Sequence, residues 1–394
     1  MDNYSITGLS TENLKGCQMR FTVERDPLAD GVGWVARSLS TRPITPVLLG
    51  ILLRAEAGQL HLSAFDLEVS GRSQVAADVS EAGTVLVSGR LLIEIVRSLP
   101  NKPVEIRLDG SKVSVICGSA RFTLPILPAS DYPTLPEMPA AAGSIAGDLF
   151  ATAVSQVAVA AGRDDSLPVL TGVHVDIEKD RMTLAATDRY RLAVREVLWT
   201  NERPDVVASA LIRARTLFDA AKALHGTNTV TIGLSPTGGN EHLIGFAGEG
   251  RIMTSRMLDG TFPPYRHLLP TESSSIAVVE VATLMDAARR VSVVTDKTVP
   301  LRLSFSSDSL KLEAGTGEDA QATEEIGIDF EGDSISIAFN PTYLTDGLSA
   351  LEESYVQLAF TSSGKPAVLS GRVEKDSSAE NSYRYLLMPM RYPN

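Results

Sequence analysis

The side chains best equipped for chemistry stand together in mid-chain. Thr187-Asp188-Arg189-Tyr190-Arg191 gathers a hydroxyl, a carboxylate, two guanidinium groups and a phenol, with the apolar Leu192 behind them. Among such groups Asp188, or His174 nearby, could be imagined as a catalytic base. The rest of the chain gives a base nothing to work with: there are five histidines, none spaced as a metal pair, and no glycine-rich phosphate loop or nucleophile motif. No catalytic residue, metal ligand or cofactor is expected, and an enzyme using Asp188 remains the remote alternative. The plainest structural role is for Asp188 to pair with Arg189 or Arg191 and brace a turn, which on a surface contributes little.

The elements around this stretch follow from alternation. Val173-His174-Val175-Asp176-Ile177 and Met182-Thr183-Leu184 read as two antiparallel strands turning through Glu178-Lys179-Asp180-Arg181. Residues 187–191 then form an exposed loop between strands. With 394 residues, two or three domains are expected. Hydrophobic content of 44% with 21% charged residues suits a soluble globular protein, and no apolar run approaches membrane-spanning length. The expected location is the cytoplasm, with no membrane partner. Cys17 and Cys117 are the only cysteines and are read as free thiols. A net charge of −12 argues against a surface that grips nucleic acid throughout, though not against a locally basic face.

An order of elements recurs with a period of about 125 residues. After a polar tail (residues 1–17) comes a strand, Met19–Val23, then a helix with Asp26 as N-cap, Pro27 at its first position, and Leu28, Val32, Val35 and Leu39 as its stripe. A hairpin around Ala57-Gly58, a second helix capped by Ser88 and a hairpin turning at Asp109-Gly110 complete the unit. Two more units follow, with helical stripes Leu149, Ala153, Val154, Val157, Ala161 and Val281, Leu284, Met285, Ala288, Val291. Pro46, Pro168 and Pro300 are counterparts before the first hairpin; Ser88, Arg213 and Asn340 are counterparts near the second helix. Residues 133–147 and 269–275 read as linkers. The expected class is α+β: three repeated domains over residues 18–138, 146–270 and 276–394, each with two helices and about eight strands, the helices on one side of antiparallel sheets. Basic residues fall on or beside helices (Arg42, Arg90, Arg97, Arg213, Arg215, Lys222, Arg289, Arg290), except in the last helix, which carries Asp346 and Glu352-Glu353 instead.

Three stretches resemble the bacterial DNA polymerase III beta subunit, the replicative sliding-clamp family, and the likeness runs from Met19 to Arg391. They are Thr187-Asp188-Arg189-Tyr190-Arg191-Leu192-Ala193, Asp259-Gly260-Thr261-Phe262-Pro263-Pro264-Tyr265-Arg266 with Leu269-Pro270, and Tyr385-Leu386-Leu387-Met388-Pro389-Met390-Arg391. The resemblance implies DNA-clamp domains, a homodimer closed into a ring with helices lining the hole, duplex DNA encircled without regard to sequence, and a non-catalytic processivity role. Implied partners are the DNA polymerase III alpha subunit, the clamp loader and other proteins with a clamp-binding motif. A second, non-essential clamp copy acting in repair or antibiotic tolerance is the alternative.

By the same resemblance, partner peptides dock in a groove formed by Leu170, Thr187, Arg189, Tyr190, Arg191, Leu192, Pro263, His267, Leu268, Asn340, Tyr343, Met388, Pro389, Met390 and Arg391. DNA is faced by Arg42, Arg90, Arg213 and Arg215, and Phe122 and Val293 lie at the dimer interface. The groove's leucines and methionines suit an apolar, adaptable pocket, with Arg191 or Arg391 holding peptide oxygens. The chain departs from the commoner pattern at Arg189-Tyr190, where glycine and histidine often stand, and in its Tyr392-Pro393-Asn394 end.

Overall fold

One order of elements is laid down three times: a strand, a helix, five strands, a helix, three strands. The computed structural model describes residues 19–40, 43–203, 208–235, 242–270, 272–294, 299–315 and 320–391. The polar tail with Cys17, Arg42 and the Tyr392-Pro393-Asn394 end lie outside the described residues. The six helices are α1 (Arg25–Val35), α2 (Gly89–Ser98), α3 (Gly147–Ala158), α4 (Ala214–Ala223), α5 (Val281–Val291) and α6 (Pro341–Ser349). Each repeat has nine described strands rather than about eight. Among the described residues no helix is long and apolar enough to cross a membrane.

In every repeat the two helices pack on one another and on strands of the same repeat. Most of each stripe is buried as its spacing implies: Leu28, Val32 and Val35 of α1, Ala153, Val154 and Val157 of α3, and Leu284, Met285, Ala288 and Val291 of α5; Leu39 and Ala161 fall beyond the ends of α1 and α3, and Leu149 and Val281 are only half-buried. Each fully buried Val, Leu or Met among them contributes about 1.5–3 kcal/mol relative to exposure. Three local expectations need correction. α1 begins at Arg25, with Glu24 at its cap and no side-chain capping bond; Asp26 sits inside the first turn and accepts from Arg25 Nη1 at 2.6 Å. Pro27 fits there because the first turn's N–H groups have no helical partner to lose. Ser88 precedes α2 but makes no side-chain cap bond. Within the stretch read as the first linker, Ala141–Ile145 is a strand, paired through Gly143↔Asn201 and Ser144↔Thr200, so the second repeat begins before residue 146.

By compactness the chain divides into two units, residues 1–140 with 231–256, and residues 141–230 with 257–394. In the first unit Trp34 is wholly buried and donates its Nε1–H to the Arg72 carbonyl at 2.8 Å. Cys117 is a buried free thiol whose Sγ bonds to the Pro100 carbonyl. There Val69–Ala76, the fourth strand of the first repeat, pairs antiparallel with Arg251–Arg256, the ninth strand of the second (Ser70↔Thr254). The second unit obeys the same rule: Arg191–Leu198, the fourth strand of the second repeat, pairs with Tyr383–Leu387, the ninth of the third (Arg191↔Leu387). That pairing sits inside a nine-stranded antiparallel sheet. A separate four-stranded sheet ends at Ala322–Gly327.

Candidate partner-binding groove

The strands Arg181–Thr187 and Arg191–Leu198 are in register from Arg181↔Leu198 to Thr187↔Leu192, leaving Asp188-Arg189-Tyr190 as the loop. Thr187 and Arg191 therefore belong to strands, and so do Glu178 and Arg181 of the preceding turn. Asp188 Oδ1 accepts from Tyr190 N (3.0 Å) and Arg191 N (3.1 Å), an Asx turn that satisfies two loop donors. Thr187 Oγ1 donates to the Arg191 carbonyl at 2.6 Å and accepts from Arg189 N at 3.1 Å. Arg189 completes the tight turn with a φ of 79°, in the left-handed region that side chains disfavour.

The brace foreseen for Asp188 is made with Arg191, and it goes further than a surface pair. The Arg191 side chain is 4% exposed. Its Nε donates to Asp188 Oδ2 at 3.0 Å and its Nη1 to Asp346 Oδ2 at 2.6 Å, while its guanidinium carbon lies 4.3 Å from the Tyr343 ring centroid. Burial alone lowers its pKa, but the Tyr385 hydroxyl, Asp346 and Asp188 outweigh that and hold the charge more firmly than usual. Tyr385, fully buried, donates its hydroxyl to the Tyr343 carbonyl at 2.9 Å, and burial pushes its phenol pKa up. α6 comes close enough for this only because residue 347 is glycine: a Cβ there would meet Tyr385 Cε1 at 2.5 Å. Asn340 caps α6, its Oδ1 accepting from Thr342 N (2.9 Å) and Tyr343 N (3.2 Å).

Around this pin opens a cleft of about 360 Å³. Leu170, Arg189, Tyr190, Arg191 and Tyr343 of the candidate set line it, joined by Gly162, Arg163, Asp164, Leu167, Thr342 and Asp346. Tyr190 is 56% exposed and stacks on Tyr343, ring centroids 6.4 Å apart. The C-terminal segment runs alongside: Met388 N donates to the Tyr190 carbonyl at 2.9 Å and Met390 N to the Ala338 carbonyl at 2.7 Å. Both methionine side chains are left partly exposed, and Arg391 is exposed.

Other members of the set stand elsewhere. Leu192, one position on from Arg191, points to the opposite face of the strand and is 3% exposed, packed with Val194, Leu211, Phe262, Tyr265 and Leu386. Pro263 and His267 line a separate hollow with His174, Asp176 and Arg266, and Leu268 is exposed. In that hollow His174 stacks on Phe262 at 5.0 Å and its Nε2 lies 3.0 Å from Asp176 Oδ1. The His174 hydrogen bond is the main reason that the Asp176 carboxyl titrates below its ordinary range. Sequence reasoning missed the role of Asp346, although its oddity as an acid on the last helix was visible; its spacing from Thr342 and Tyr343 puts all three on one face.

Three sequence-family models cover nearly the whole chain. The N-terminal, central and C-terminal domains of the DNA polymerase III beta subunit match residues 19–136, 144–264 and 266–391. The beta sliding clamp of Streptomyces coelicolor is 57% identical over 95% of this chain and 99% of its own length. The beta sliding clamp homolog GriR of Streptomyces muensis is 48% identical over 95% of this chain and 100% of its own. Among solved structures, the DNA polymerase sliding clamp of Bacillus subtilis superposes with a TM-score of 0.86 at 26% identity, covering 95% of this chain and all of that one. The Pseudomonas aeruginosa sliding clamp bound to griselimycin gives 0.85 at 29% identity, covering 95% and 99%.

Proposed function

Because the chain belongs to the DNA polymerase III beta subunit family, we propose that it works as a sliding clamp: a ring of two copies around duplex DNA that tethers the replicative polymerase without catalysing anything. The observation that carries the ring is the pairing rule. The fourth strand of the first repeat joins the ninth of the second, and the fourth of the second joins the ninth of the third. Two positions are left over. Among the described residues Ala322–Gly327, the fourth strand of the third repeat, pairs only with Ser309–Ala314. Ala120–Leu127, the ninth strand of the first, is paired among the described residues with Lys112–Cys117 alone over residues 120–125, and only its last two residues reach Gly83–Ser88. Each leftover edge is the complement of the other, so a second copy continues the series head to tail, and two such junctions close a ring. Phe122 lies on one edge strand, and Val293, 82% exposed, follows α5, which packs on the other.

A tether that slides must not read bases. The cations proposed to face DNA have the right character: Arg90 and Arg215 have side chains 88% exposed on α2 and α4, and Arg213 stands at the start of α4. Their nearest carboxylates, Glu94 and Asp219, are one helical turn away, which leaves a sparse, screened field for phosphates. Retention is then topological. The cleft beside Tyr190 and Met388 is the docking site for short peptides of the polymerase alpha subunit, the clamp loader and other clamp-binding proteins, all in the bacterial cytoplasm. The protein should sediment as a dimer at micromolar concentration, stay on a nicked circle in salt, and leave once the circle is linearised. A monomer throughout, or equal release from circle and linear DNA, sinks the reading.

A further inference from the structure

We propose that Met388 and Met390 form a modification site: hydrogen peroxide oxidises them to sulfoxides, and the sulfoxides weaken the hold of the cleft on apolar peptides. This rests on the docking role of the cleft and adds a control to it. The chain has nine methionines. Among the described residues Met19, Met182, Met253 and Met285 are buried and Met138 and Met257 half-buried, whereas Met388 and Met390 are 41% and 37% exposed. An oxidant in solution therefore meets these two thioethers first. Their exposure falls where docking takes place: the segment that carries them runs beside Tyr190, and its buried neighbours Leu386 and Leu387 hold no oxidisable atom.

The reaction needs nothing from the protein but access. The thioether sulfur attacks one oxygen of the peroxide, the O–O bond breaks as the S–O bond forms, and the departing hydroxide takes the proton from the transferred oxygen and leaves as water. Sulfur is oxidised by two electrons and the peroxide reduced by two. A flexible apolar side chain becomes a polar one, with an acceptor oxygen that an apolar side chain of a peptide cannot satisfy. The segment itself keeps its place, because the bonds from Met388 N to the Tyr190 carbonyl (2.9 Å) and from Met390 N to the Ala338 carbonyl (2.7 Å) belong to the backbone. The change is reversible: two thiols of a methionine sulfoxide reductase return the electrons, leaving a disulfide and water.

The test titrates full-length wild type and the Met388→Leu/Met390→Leu double variant with a methionine-free labelled peptide bearing paired apolar residues, before and after peroxide and its removal by catalase. Each protein is compared with itself, so the thiols common to both cancel. Peptide mapping by mass spectrometry should place the first added oxygens on residues 388 and 390. Wild-type affinity should then fall roughly tenfold, the low end for losing one buried apolar contact, and recover after treatment with the reductase. The double variant should keep its own affinity through the same treatment. Sedimentation should give the same dimer throughout, since neither edge strand, Ala120–Leu127 nor Ala322–Gly327, contains a methionine. Oxygen appearing first on Met138 or Met257, unchanged binding by wild type carrying both sulfoxides, or an equal loss in the double variant overturns the proposal. Where untreated wild type binds no peptide, the docking reading fails and the control with it, while the mass map still decides the modification site.

Discussion

The loop at Asp188 has a twin at Asp66, and the two differ in an instructive way. Asp66 Oδ1 accepts from Glu68 N and Val69 N at 3.0 and 2.7 Å, as Asp188 Oδ1 does from Tyr190 N and Arg191 N. Leu67 and Arg189 share a φ of 79°. The Glu68 carbonyl accepts from Arg256 N at 2.9 Å, and the Tyr190 carbonyl from Met388 N at 2.9 Å. The backbone is thus the same down to the bond that receives the ninth strand of the next repeat. What stands on it is not: Val69 gives way to the buried, doubly paired Arg191, Glu68 to a tyrosine stacked on Tyr343, and Leu67 to an arginine lining the cleft. Backbone makes the junction, and substituted side chains make the site.

The comparison breaks most sharply at Arg191. Arg191→Ala should cost about 3 kcal/mol in urea denaturation, the low end for a broken buried pair, because it leaves Asp188 and the partly exposed Asp346 without their shared partner. Val69→Ala, with no charge beneath it, should cost far less. Combining Arg191→Met with Asp188→Asn and Asp346→Asn should restore much of the loss. If Arg191→Ala unfolds no more readily than wild type, the pin is not structural.

Next in size is peptide docking. Deleting residues 388–394 should abolish binding of a labelled peptide with paired apolar residues and leave the dimer intact by sedimentation. Met390→Ala should weaken binding by no more than about 1.5–3 kcal/mol, the worth of one buried apolar contact. Unchanged affinity in both would place docking elsewhere.

A smaller effect tests the shared backbone. Arg189→Gly and Leu67→Gly should each stabilise by roughly 1 kcal/mol, since both relieve a left-handed side chain. A gain at one loop and a loss at the other would show that the twins are less alike than their hydrogen bonds suggest.

Smallest is the acid limit set by His174. Asp176 has a lowered pKa in the folded state, chiefly through its hydrogen bond from His174. The stability it contributes is complete above its unfolded value near pH 4 and is lost as pH falls through the lower folded value. Asp176→Asn should flatten the pH dependence of stability on the acid side of pH 4 in thermal melts; an unchanged slope there removes Asp176 from the account.

Periodicity made the three repeats and the helix stripes legible, because burial is written every three or four residues along α1, α3 and α5. It failed where tertiary pairing overrides local pattern. Ala141-Ala142-Gly143-Ser144-Ile145 has no strand signature and becomes a strand through tertiary pairing, as in Gly143↔Asn201 and Ser144↔Thr200. The site was half legible. Leu170, Tyr190 and Tyr343 do share a cleft, but Leu192 was read beside Arg191 when strand alternation turns it to the other face. Nothing local announced that Arg191 would find its second carboxylate on α6.

The long reach of the pairing rule bears on how the chain is born. Ser70 meets its hydroxyl partner Thr254 across 184 residues, and Arg191 meets Tyr385 across 194. At a ribosome's pace of about 5–20 residues per second, each fourth strand waits roughly 10–40 seconds with an open edge before its partner emerges. Such an edge is a template for the wrong strand. Arg72 on the first waiting strand, and Arg191, Arg195 and Glu196 on the second, put charge where a passing apolar strand would have to bury it. Arg191, which later pins the cleft, is one of these guards of the nascent chain.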